Sequence, residues 1–484
     1  MKPIVSPAFP VPAKDAPRSW SAWTGRRALV VGAARSGRAA ARLLAGRGLP
    51  VTLADARPRE ALAGAEGLAA LEEHGVRIAA GRDDLALLDG ADIVVTSPGV
   101  PPTAPLLAAA DKRGVPVVAE LELAFQVSRA PWVAITGTNG KSTTTALAGR
   151  LVAATGRPAW VCGNIGEAAC EQAADIPPDG AIIAEVSSFQ LERVVAFKPA
   201  LALVTNLTPD HLDRHGDLAT YAALKARVFA QQDAADRAVL NADDPATADW
   251  AARFGIVARI AYVRATDRAD LAGVDGALVD DAGNVVRARE GHRDVLLPAR
   301  ALLIPGPHNV VNALCAVAAT LPWDAPAAAL AAGLAAFPGL EHRIEAAGVV
   351  GSIRFWNDSK ATNVDSMRTA LLAFAAPIVV IAGGRDKAGP WSSIVALAGE
   401  RIGRLVLIGE AAPTIAAAWP AVPSERAIDL ADAVRRAYAA AHALGGAPVV
   451  LSPGCASFDM FTDYEDRGRR FKAAVAALAA GEGA

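Results

Sequence analysis

The sequence predicts an α/β protein with three domains: a Rossmann-like N-terminal domain, a central domain with a mostly parallel sheet, and a C-terminal Rossmann-like domain. The length of 484 residues is enough for about three domains of ordinary size. Short apolar runs alternate with longer helical patterns, which is typical of parallel sheets covered by helices on both faces. The alternation recurs in three blocks, and each block predicts one domain.

Residues 1–20 are predicted to form a disordered N-terminal extension. The segment is rich in proline and lacks the continuous apolar core of a signal peptide. We expect the first domain at 21–120, the central domain at 121–340 and the third domain at 341–484. The last boundary falls beside the pair Pro338-Gly339.

The composition argues against several classes of protein. Hydrophobic residues make up 52% of the chain, charged residues 20%, and the formal net charge is -2. We therefore expect a soluble globular protein with no overall attraction to nucleic acid or anionic lipid. No stretch is apolar for long enough to cross a bilayer, and the four cysteines lack the paired spacing of metal sites, as is usual in a reducing compartment. These features predict a cytoplasmic protein without nucleic-acid or membrane partners, and we expect it to be a monomer.

The first block opens with a strand and a glycine-containing turn that resemble a dinucleotide-binding fingerprint. The run Ala28–Val31 leads into Gly32 and Gly37, and Asp55 ends the next predicted strand. Ala34 occupies the position of the glycine that lets the backbone approach a pyrophosphate, so a nicotinamide cofactor is only weakly indicated. The N-terminus of the following helix would still suit some other diphosphate.

The most informative stretch follows the apolar run 132–135 and reads Gly137-Thr138-Asn139-Gly140-Lys141-Ser142-Thr143. In such a loop, glycines let successive N–H groups turn toward one anion, and the helix N-terminus adds partial positive charge. Lysine neutralises phosphate oxygens, and the serine hydroxyl can bind Mg²⁺. Ile135 stands where the first glycine of the P-loop pattern belongs, so the loop is a variant. The motif predicts that the central domain is a P-loop ATPase that binds a nucleoside triphosphate.

Two further strand ends carry residues suited to a metal ion. Glu185 ends the predicted strand 181–184, and a carboxylate at that place beside a P-loop strand can hold Mg²⁺. His211 follows the predicted strand 201–206. Alone it would more often be a capping or surface histidine, but its place at a third strand end of one sheet favours a ligand.

Lys225 lies on the apolar stripe of a predicted helix over 217–230. It follows Tyr221 by four residues and precedes Val228 by three. One interpretation is that its stem packs on the protein while the ammonium reaches water. The alternative is a lysine held close to the metal site.

Polar clusters follow three predicted strands of the third block, at 357–363, 383–387 and 452–459. Each cluster could simply form a turn without binding a ligand, because Asn, Asp, Ser and Gly are common in turns. Ligands of open α/β sheets bind at the carboxyl ends of the strands. Three such clusters in one domain, two of them with a lysine, favour an anionic ligand.

Taken together, these motifs resemble the Mur ligase family. The resemblance covers almost the whole chain after about residue 25 and is carried by 137–143, 185–192, 206–213, 306–313, 342–343, 357–363, 383–387 and 452–461. It is strongest to the members that add glutamate to UDP-N-acetylmuramoyl-L-alanine. Three features support this: the Rossmann-like first domain, the turn Ser97-Pro98-Gly99 and the segment Ser457-Phe458-Asp459-Met460-Phe461. The Asp-Asn-Pro-Arg motif of the diaminopimelate-adding relative is absent from the sequence.

The resemblance implies an ATP-dependent amide ligase of cytoplasmic peptidoglycan precursor synthesis. The first domain would bind the UDP part of UDP-N-acetylmuramoyl-L-alanine, the central domain ATP and Mg²⁺, and the third domain the incoming D-glutamate. The L-alanine carboxylate would attack the γ-phosphate to give an acyl phosphate, and the glutamate amine would then displace phosphate. An L-glutamate-adding variant stays an alternative.

The resemblance also implies roles for individual residues. The catalytic set is Lys141, Glu185, His211 and Lys225. The ATP-binding set is Gly137, Thr138, Asn139, Gly140, Lys141, Ser142, Thr143, Asn309, Arg343, Asp358 and Lys360. The metal set, for two Mg²⁺ sites, is Ser142, Glu185, His211 and Lys225 as a carbamate. The set for the UDP precursor is Ser36, Asp55, Arg57 and Asn164. The set for glutamate is Thr362, Lys387, Ser457 and Tyr464, the last of which stands where the family has phenylalanine.

Three alternatives come from other activities. A folylpolyglutamate-type ligase has a similar P-loop but would begin almost directly with the ATPase domain, whereas residues 27–117 form a separate block here. A P-loop regulator would switch partners without making a bond. An NAD-dependent oxidoreductase is disfavoured by Ala34 and by the P-loop. Phosphate release that depends on both a UDP-muramoyl acceptor and an amino acid separates the ligase from these alternatives.

Overall fold

The structure is a computed structural model that describes residues 19–62, 65–82, 84–266, 272–386 and 389–482. It contains three β-sheets in a mixed α/β arrangement, which confirms the predicted fold class. The chain divides into two compact units, Met1–Arg300 with Val311–Leu334 and Ala301–Val310 with Ala335–Ala484. The first unit holds two sheets and the second unit holds one. Most of the predicted extension 1–20 lies outside the described residues, and the three-domain boundaries at 120 and 340 stay predictions.

The first sheet forms the N-terminal part of the first unit. Its strands are β1 (Ala28–Val31), β2 (Val51–Asp55), β3 (Arg77–Ala80), β4 (Ile93–Thr96) and β5 (Val117–Ala119). Its helices are α1 (Arg35–Gly46), α2 (Ala65–Glu73), α3 (Pro105–Arg113) and α4 (Glu120–Val127). All the strands are parallel, in the order β3-β2-β1-β4-β5. This order reverses direction between β1 and β4, and ligands of such sheets bind at that reversal.

The second sheet forms the rest of the first unit. Its strands are β6 (Trp132–Thr136), β7 (Ala159–Gly163), β8 (Ala181–Glu185), β9 (Leu201–Val204), β10 (Arg237–Asn241), β11 (Arg259–Arg264), β12 (Gly276–Val279), β13 (Asn284–Arg289) and β14 (His292–Pro298). The nearby helices are α5 (Lys141–Ala153), α6 (Ser188–Leu191), α7 (Leu212–His215), α8 (Leu218–Ala226) and α9 (Trp250–Arg253). The strand order is β14-β13-β12-β11-β10-β9-β6-β8-β7. The pairs from β7 to β12 are parallel, whereas β12, β13 and β14 pair antiparallel.

Two helices follow the second sheet, α10 (Pro307–Ala318) and α11 (Ala327–Ala335). The third sheet belongs to the second unit. Its strands are β15 (Glu345–Val350), β16 (Ile353–Asn357), β17 (Ile378–Gly383), β18 (Ile402–Ile408), β19 (Ser424–Arg426) and β20 (Val449–Leu451). Its helices are α12 (Val364–Leu372), α13 (Val395–Arg401), α14 (Ala412–Ala418), α15 (Leu430–Ala443) and α16 (Tyr464–Glu482). The order is β15-β16-β20-β17-β18-β19, and only β15 is antiparallel to its neighbour.

The central strands of each sheet are buried along their whole length. In the second sheet this holds for β6, β8 and β9, and in the third for β17 and β20. A strand with helices on both faces has no side exposed to water, which is why these strands appear in the sequence as continuous apolar runs. Polar residues are then excluded from the strands and collect at their ends.

Buried polar groups connect the two sheets of the first unit. Glu122, in α4, accepts hydrogen bonds from the N–H groups of Val195 (2.7 Å), Ala196 (3.0 Å) and Phe197 (3.1 Å). Arg193 forms two parallel hydrogen bonds, of 2.7 and 2.6 Å, with the carboxylate of Asp111 in α3. Glu122 and Arg193 are buried, whereas Asp111 is partly exposed. Loss of either contact would therefore leave a buried polar group without its partner, which destabilises a protein.

No helix among the described residues is both long enough and apolar enough to span a membrane.

Candidate active site

The loop between β6 and α5 is closed by hydrogen bonds to the segment that follows β9. The N–H of Thr138 donates to the carbonyl of Asn206 at 3.0 Å, and the N–H of Asn139 donates to the Asn206 side-chain oxygen at 2.9 Å. The hydroxyl of Thr205 donates to the carbonyl of Asn139 at 2.7 Å. Gly137 has a φ of 138°, and a Cβ there would lie 2.0 Å from the Thr205 hydroxyl oxygen. The shape of the loop is therefore fixed by the neighbouring strand, and it requires glycine at this position.

Lys141 is the first residue of α5 and folds back onto the loop. Its Nζ donates to the carbonyls of Gly137 at 2.9 Å and Thr138 at 2.6 Å. Ser142 and Thr143 follow it, buried in the first turn of the helix. The ammonium, the helix N-terminus and the hydroxyls thus lie together at one strand end, which is an arrangement suited to binding phosphate.

Lys225 reaches the same loop from α8. Its Nζ donates to the carbonyl of Gly137 at 2.6 Å and lies 4.4 Å from the centroid of the Tyr221 ring. Lys225 is only 1% exposed, so the interpretation in which its ammonium reaches water is wrong. Its predicted place on the inward stripe of the helix is confirmed. Burial, and next the charge of Lys141, lower the pKa of Lys225 well below that of an exposed lysine.

Glu185 ends β8 and pairs in register with Ile135 of β6, directly beside the P-loop strand. It is 2% exposed. Its Oε1 accepts a hydrogen bond of 2.7 Å from the Asn164 side chain. Its Oε2 is buried and has no hydrogen-bond partner among the described residues. A buried carboxylate oxygen without a donor is costly, and a Mg²⁺ ion would satisfy it. The residues present therefore fit a divalent cation.

His211 lies in a different environment from the buried Lys225. It immediately precedes α7, and its backbone has a left-handed φ of 52°. Its side chain is 49% exposed, with Nε2 3.4 Å from the carboxylate of Asp210. The ring lies 4.9 Å from that of Phe189. No hydrogen bond or ion pair between described residues joins His211 to Glu185 or Lys225. The structure places it near the same sheet edge but does not bring it into contact with them.

A cavity of about 800 Å³ opens at the carboxyl ends of β1, β2 and β4. Its wall includes the N-terminus of α1, the turn after β4, and part of the loop that follows β7. The four residues predicted to bind the UDP precursor all line it: Ser36, Asp55, Arg57 and Asn164. The cavity is therefore the place in the first unit where these four side chains come together.

Asp55 is fixed in the wall of this cavity. It accepts hydrogen bonds from the N–H of Ala33 at 2.8 Å and from the Arg57 guanidinium at 3.0 and 2.9 Å. Burial alone would raise the pKa of Asp55, but these hydrogen bonds outweigh burial and lower it to about 2. A Cβ on Gly37 would lie 1.7 Å from the carbonyl oxygen of Gly32. That glycine therefore permits the close packing of α1 on β1, as in a dinucleotide fingerprint.

In the second unit, Asp358 begins a polar cluster at the end of β16. Its carboxylate accepts hydrogen bonds from the Ser452 hydroxyl at 2.9 Å and the N–H of Ile344 at 3.3 Å. Burial raises the pKa of Asp358 to about 7, although the hydrogen bond from Ser452 opposes the shift. Lys360 lies with its Nζ 5.2 Å from the centroid of the Tyr464 ring. The structure thus brings Asp358, Lys360 and Tyr464 into one region.

Three other predicted residues of the second unit, Thr362, Ser457 and Asn309, form hydrogen bonds with nearby backbone groups. The N–H of Thr362 donates to the carbonyl of Lys360 at 2.8 Å, and the carbonyl of the buried Ser457 accepts from the N–H of Phe461 at 2.9 Å. The Asn309 side chain donates to the carbonyl of Pro305 at 2.7 Å. Arg343 directly follows His342 in a segment with left-handed backbone at 342 and 344. Lys387 lies outside the described residues.

Two buried side chains support these sites although the sequence analysis did not identify them. Arg467, in α16, donates to the hydroxyl and the carbonyl of Ser359 at 2.9 and 2.8 Å. Burial lowers the pKa of Arg467 to about 10. Asn312, in α10, lies so near the P-loop that a Cβ on Gly140 would be 2.1 Å from its side-chain oxygen. Arg467 follows several charged residues in a helical pattern, which gives no signal that it is buried.

Comparison with known proteins identifies two domains of one family. Residues 135–320 match the family described as "Mur ligase middle domain", and residues 26–119 match "Mur ligase MurD-like, N-terminal domain". A protein of Anaeromyxobacter dehalogenans named UDP-N-acetylmuramoylalanine--D-glutamate ligase is 45% identical over 460 residues, which cover 93% of this chain and 97% of the relative. A protein of Pelotomaculum thermopropionicum with the same name is 42% identical over 461 residues, 95% of this chain and 99% of the relative.

Solved structures show the same fold at low sequence identity. A pseudomurein peptide ligase type C from Methanothermus fervidus matches with a TM-score of 0.55 and 17% identity, covering 94% of this chain and 100% of that one. UDP-N-acetylmuramate-alanine ligase MurC from Thermotoga maritima matches with a TM-score of 0.54 and 18% identity, covering 93% of this chain and 99% of that one. The sequence relatives, which extend over nearly the full length of both chains, establish more than the fold. The chain belongs to the Mur ligase family.

Proposed function

We propose that the protein is the ATP-dependent ligase that joins D-glutamate to UDP-N-acetylmuramoyl-L-alanine in peptidoglycan precursor synthesis. The names of its relatives supply the substrates. One observation carries the proposal. The buried Oε2 of Glu185 has no hydrogen-bond partner among the described residues, and it lies beside a P-loop in which the Gly137 carbonyl accepts hydrogen bonds from two lysine ammonium groups. A cavity of about 800 Å³ in the same unit offers room for a nucleotide-linked substrate. We also propose that the protein is a cytoplasmic monomer. Its four cysteines are buried and form no disulfide bond in the structure, as is usual in a reducing compartment.

The P-loop residues 137–143 are proposed to bind the phosphates of ATP. Lys141 would exchange its two carbonyl partners for oxygens of the β- and γ-phosphates, which a flexible ammonium can do without moving the backbone. Ser142 and Glu185 would hold one Mg²⁺, while His211 and a modified Lys225 would hold a second. Bound Mg²⁺ supplies neutralisation of the charge that builds up on the transferred phosphoryl group.

Lys225 is proposed to carry a carbamate. In that reaction the neutral Nζ attacks the carbon of CO₂, a nitrogen–carbon bond forms, and the amine proton leaves to water. As an ammonium, Lys225 lies with that of Lys141 on one carbonyl oxygen, at 2.6 and 2.9 Å, so two like charges are close together. A carbamate is an anion, and it would replace that repulsion by attraction while offering oxygen ligands to a metal.

The chemistry requires two anions to meet. The L-alanine carboxylate attacks the γ-phosphorus, the bond to ADP breaks, and Lys141 offsets the negative charge of both groups. The glutamate amine then attacks the acyl carbon, loses a proton, and phosphate leaves.

The substrate contacts are proposed as three sets of residues. In the second unit, the residues proposed to contact the nucleotide are Asn309, Arg343, Asp358 and Lys360. Those proposed to contact glutamate are Thr362, Lys387, Ser457 and Tyr464. In the first unit, the residues proposed to contact the UDP precursor are Ser36, Asp55, Arg57 and Asn164.

An assay with each component omitted in turn tests the proposal. Purified protein receives UDP-N-acetylmuramoyl-L-alanine, ATP, Mg²⁺ and either enantiomer of glutamate, and phosphate and ligated product are measured. We expect both to appear only when acceptor and D-glutamate are present together. Phosphate release without the acceptor would favour a P-loop regulator. Turnover with L-glutamate alone would overturn the stereochemistry, and glutamate addition to a folate would favour the folylpolyglutamate-type alternative.

Ser457 and Lys387 provide a test of the glutamate site. Glutamate has two carboxylates that require donors, and a lysine contributes a charge-assisted hydrogen bond worth more than a neutral one. We expect Lys387→Ala to raise the KM for glutamate by about 10-fold to 100-fold and Ser457→Ala by about 5-fold, with the KM for ATP nearly unchanged. Ser393→Ala, at an exposed serine of the same unit, is the matched control. A large change in the ATP KM alone would show that the cluster is misassigned.

A further inference from the structure

The placement of His211 depends on a very short helix. α7 contains only four residues, Leu212–His215, far fewer than a helix needs to be stable without tertiary contacts. His211 precedes it in a left-handed conformation, with a φ of 52°, which a residue with a side chain adopts only when its surroundings impose it. The backbone position of His211 therefore depends on what α7 packs against.

His215, the last residue of α7, makes the buried contacts of this helix. Its side chain is 0% exposed. Its Nε2 is joined to the Ser188 hydroxyl by a hydrogen bond of 3.0 Å. Its ring stacks on that of Tyr221, with 5.3 Å between centroids and 22° between planes. The N–H of His215 donates to the carbonyl of His211 at 3.0 Å, so the two histidines are also linked through the backbone.

Each of these contacts leads to a proposed metal ligand. Ser188 begins α6, three residues after Glu185 at the end of β8. Tyr221 lies in α8, one turn before Lys225, and its ring centroid is 4.4 Å from the Lys225 Nζ. His215 is therefore in direct contact with the two segments that carry Glu185 and Lys225, and it belongs to the segment that carries His211.

We propose that His215 is a positioning residue that holds the segments bearing Glu185, His211 and Lys225 in one arrangement for metal binding. The inference rests on the proposed function, in which these three residues bind Mg²⁺. The hydrogen bond to Ser188 and the stacking on Tyr221 fix both the depth and the rotation of α7. Because Glu185 and Lys225 lie on longer elements, His211 is the ligand whose position depends most on His215.

Variants can separate this role from ordinary packing. His215→Phe keeps a buried aromatic ring and removes the hydrogen bond, and Ser188→Ala removes the same bond from its other end. Ser188→Thr retains the hydroxyl and serves as the conservative rescue. Thr247→Val, which removes another fully buried hydroxyl of the same unit, is the matched control for loss of stability.

The measurement is Mn²⁺ binding to the full chain, followed by electron paramagnetic resonance in the presence of a non-hydrolysable ATP analogue. Removing a group that orients metal ligands typically weakens metal binding by about 10-fold to 100-fold. We expect His215→Phe and Ser188→Ala each to weaken Mn²⁺ binding by about 10-fold, and the double variant to be no worse than the worse single variant. Ser188→Thr should bind as the unmodified protein does. The concentration of Mg²⁺ needed for half-maximal ligation should rise in parallel, with the KM for the UDP precursor unchanged.

Three outcomes would overturn the inference. If Mn²⁺ binding is unchanged in both single variants while Tm falls, His215 is a packing residue only. If Thr247→Val weakens Mn²⁺ binding as much, the effect is loss of stability. If the unmodified protein binds no Mn²⁺ with the analogue, the proposed metal site itself fails, and this result is distinguishable because it does not depend on the variants. Should His215→Phe not fold, Ser188→Ala and Ser188→Thr carry the test by themselves.

Discussion

Lys225→Ala is expected to abolish ligation, and Lys225→Arg is expected to abolish it as well. Alanine removes the buried group that would become the anionic metal ligand. Arginine keeps the positive charge and cannot form a carbamate. It would also add a second permanent cation next to Lys141, on a carbonyl that the Lys225 ammonium now contacts at 2.6 Å. Removal of one electrostatic contact to a transition state typically lowers kcat on the order of 10²-fold to 10³-fold. We expect a loss of similar size, about 99% of kcat or more, in both variants.

Chemical rescue makes this prediction specific. Small carboxylates such as acetate or formate should restore part of the activity of Lys225→Ala, because they can occupy the vacated anionic position, and should not restore Lys225→Arg. Nuclear magnetic resonance after incubation with ¹³C-bicarbonate should show a carbamate carbon in the unmodified protein and in Lys198→Ala, where the replaced lysine is partly exposed and paired with Asp233. An active Lys225→Arg enzyme, or absence of the carbamate signal in the nucleotide-bound protein, would refute the carbamate.

Lys141→Ala is expected to lower kcat on the order of 10³-fold or more and to raise the KM for ATP. Lys141 is half-buried, and its ammonium donates to the carbonyls of Gly137 and Thr138 in the loop, so the substitution removes positive charge from the proposed phosphate site and removes no side chain from the apolar core. We therefore expect circular dichroism and Tm close to those of the unmodified protein. Lys141→Arg should recover little, because a guanidinium is larger and planar and does not provide the compact point charge of an ammonium.

The matched control for this variant is Lys112→Ala, which removes an exposed lysine at the end of α3. It should leave both kinetic constants within twofold of their original values, as surface substitutions usually do. Near-normal ligation by Lys141→Ala would remove the P-loop from the mechanism and, with it, the central argument for ATP. A collapse of Tm in the same variant would mean that the loss of activity reports folding instead.

The buried parallel strands were the most predictable part of the fold. The predicted strands that precede the P-loop and Glu185 coincide with β6 and β8 to within one residue at each end. Helices cover such strands on both faces, so nearly all of their side chains are apolar, and the sequence shows each strand as a continuous apolar run. The antiparallel hairpin of β13 and β14 was not identified. β13 has an arginine among its buried residues, and β14 begins with polar or charged residues that are exposed or half-buried, so neither strand is a continuous apolar run.

The site was predictable where the chain itself brings residues together. The P-loop occupies seven consecutive positions, and the residue type at each position indicates its part in the loop. Lys225 could be placed on an inward face by periodicity alone, but its partner, the carbonyl of Gly137, is 88 residues away in the chain. The same holds for His215 and Ser188, which are 27 residues apart. Periodicity indicates which side of a helix is buried. Which residues that side contacts depends on how the strands are arranged in the folded sheet.

The ion pair between Arg193 and Asp111 has a consequence for how the protein can be divided. The Arg193 side chain is 3% exposed, and Asp111 is its ion-pair partner across the two sheets of the first unit. A shortened chain beginning at residue 121 would keep the arginine and lose the aspartate, and stranding a buried charge in this way typically costs about 3–5 kcal/mol. That cost is a large share of the whole folding stability of a typical domain, which is about 5–15 kcal/mol. We therefore expect that the second sheet cannot be excised as an autonomous module for inhibitor screening or for recombination with another N-terminal domain. It should melt together with the N-terminal sheet in one cooperative calorimetric transition.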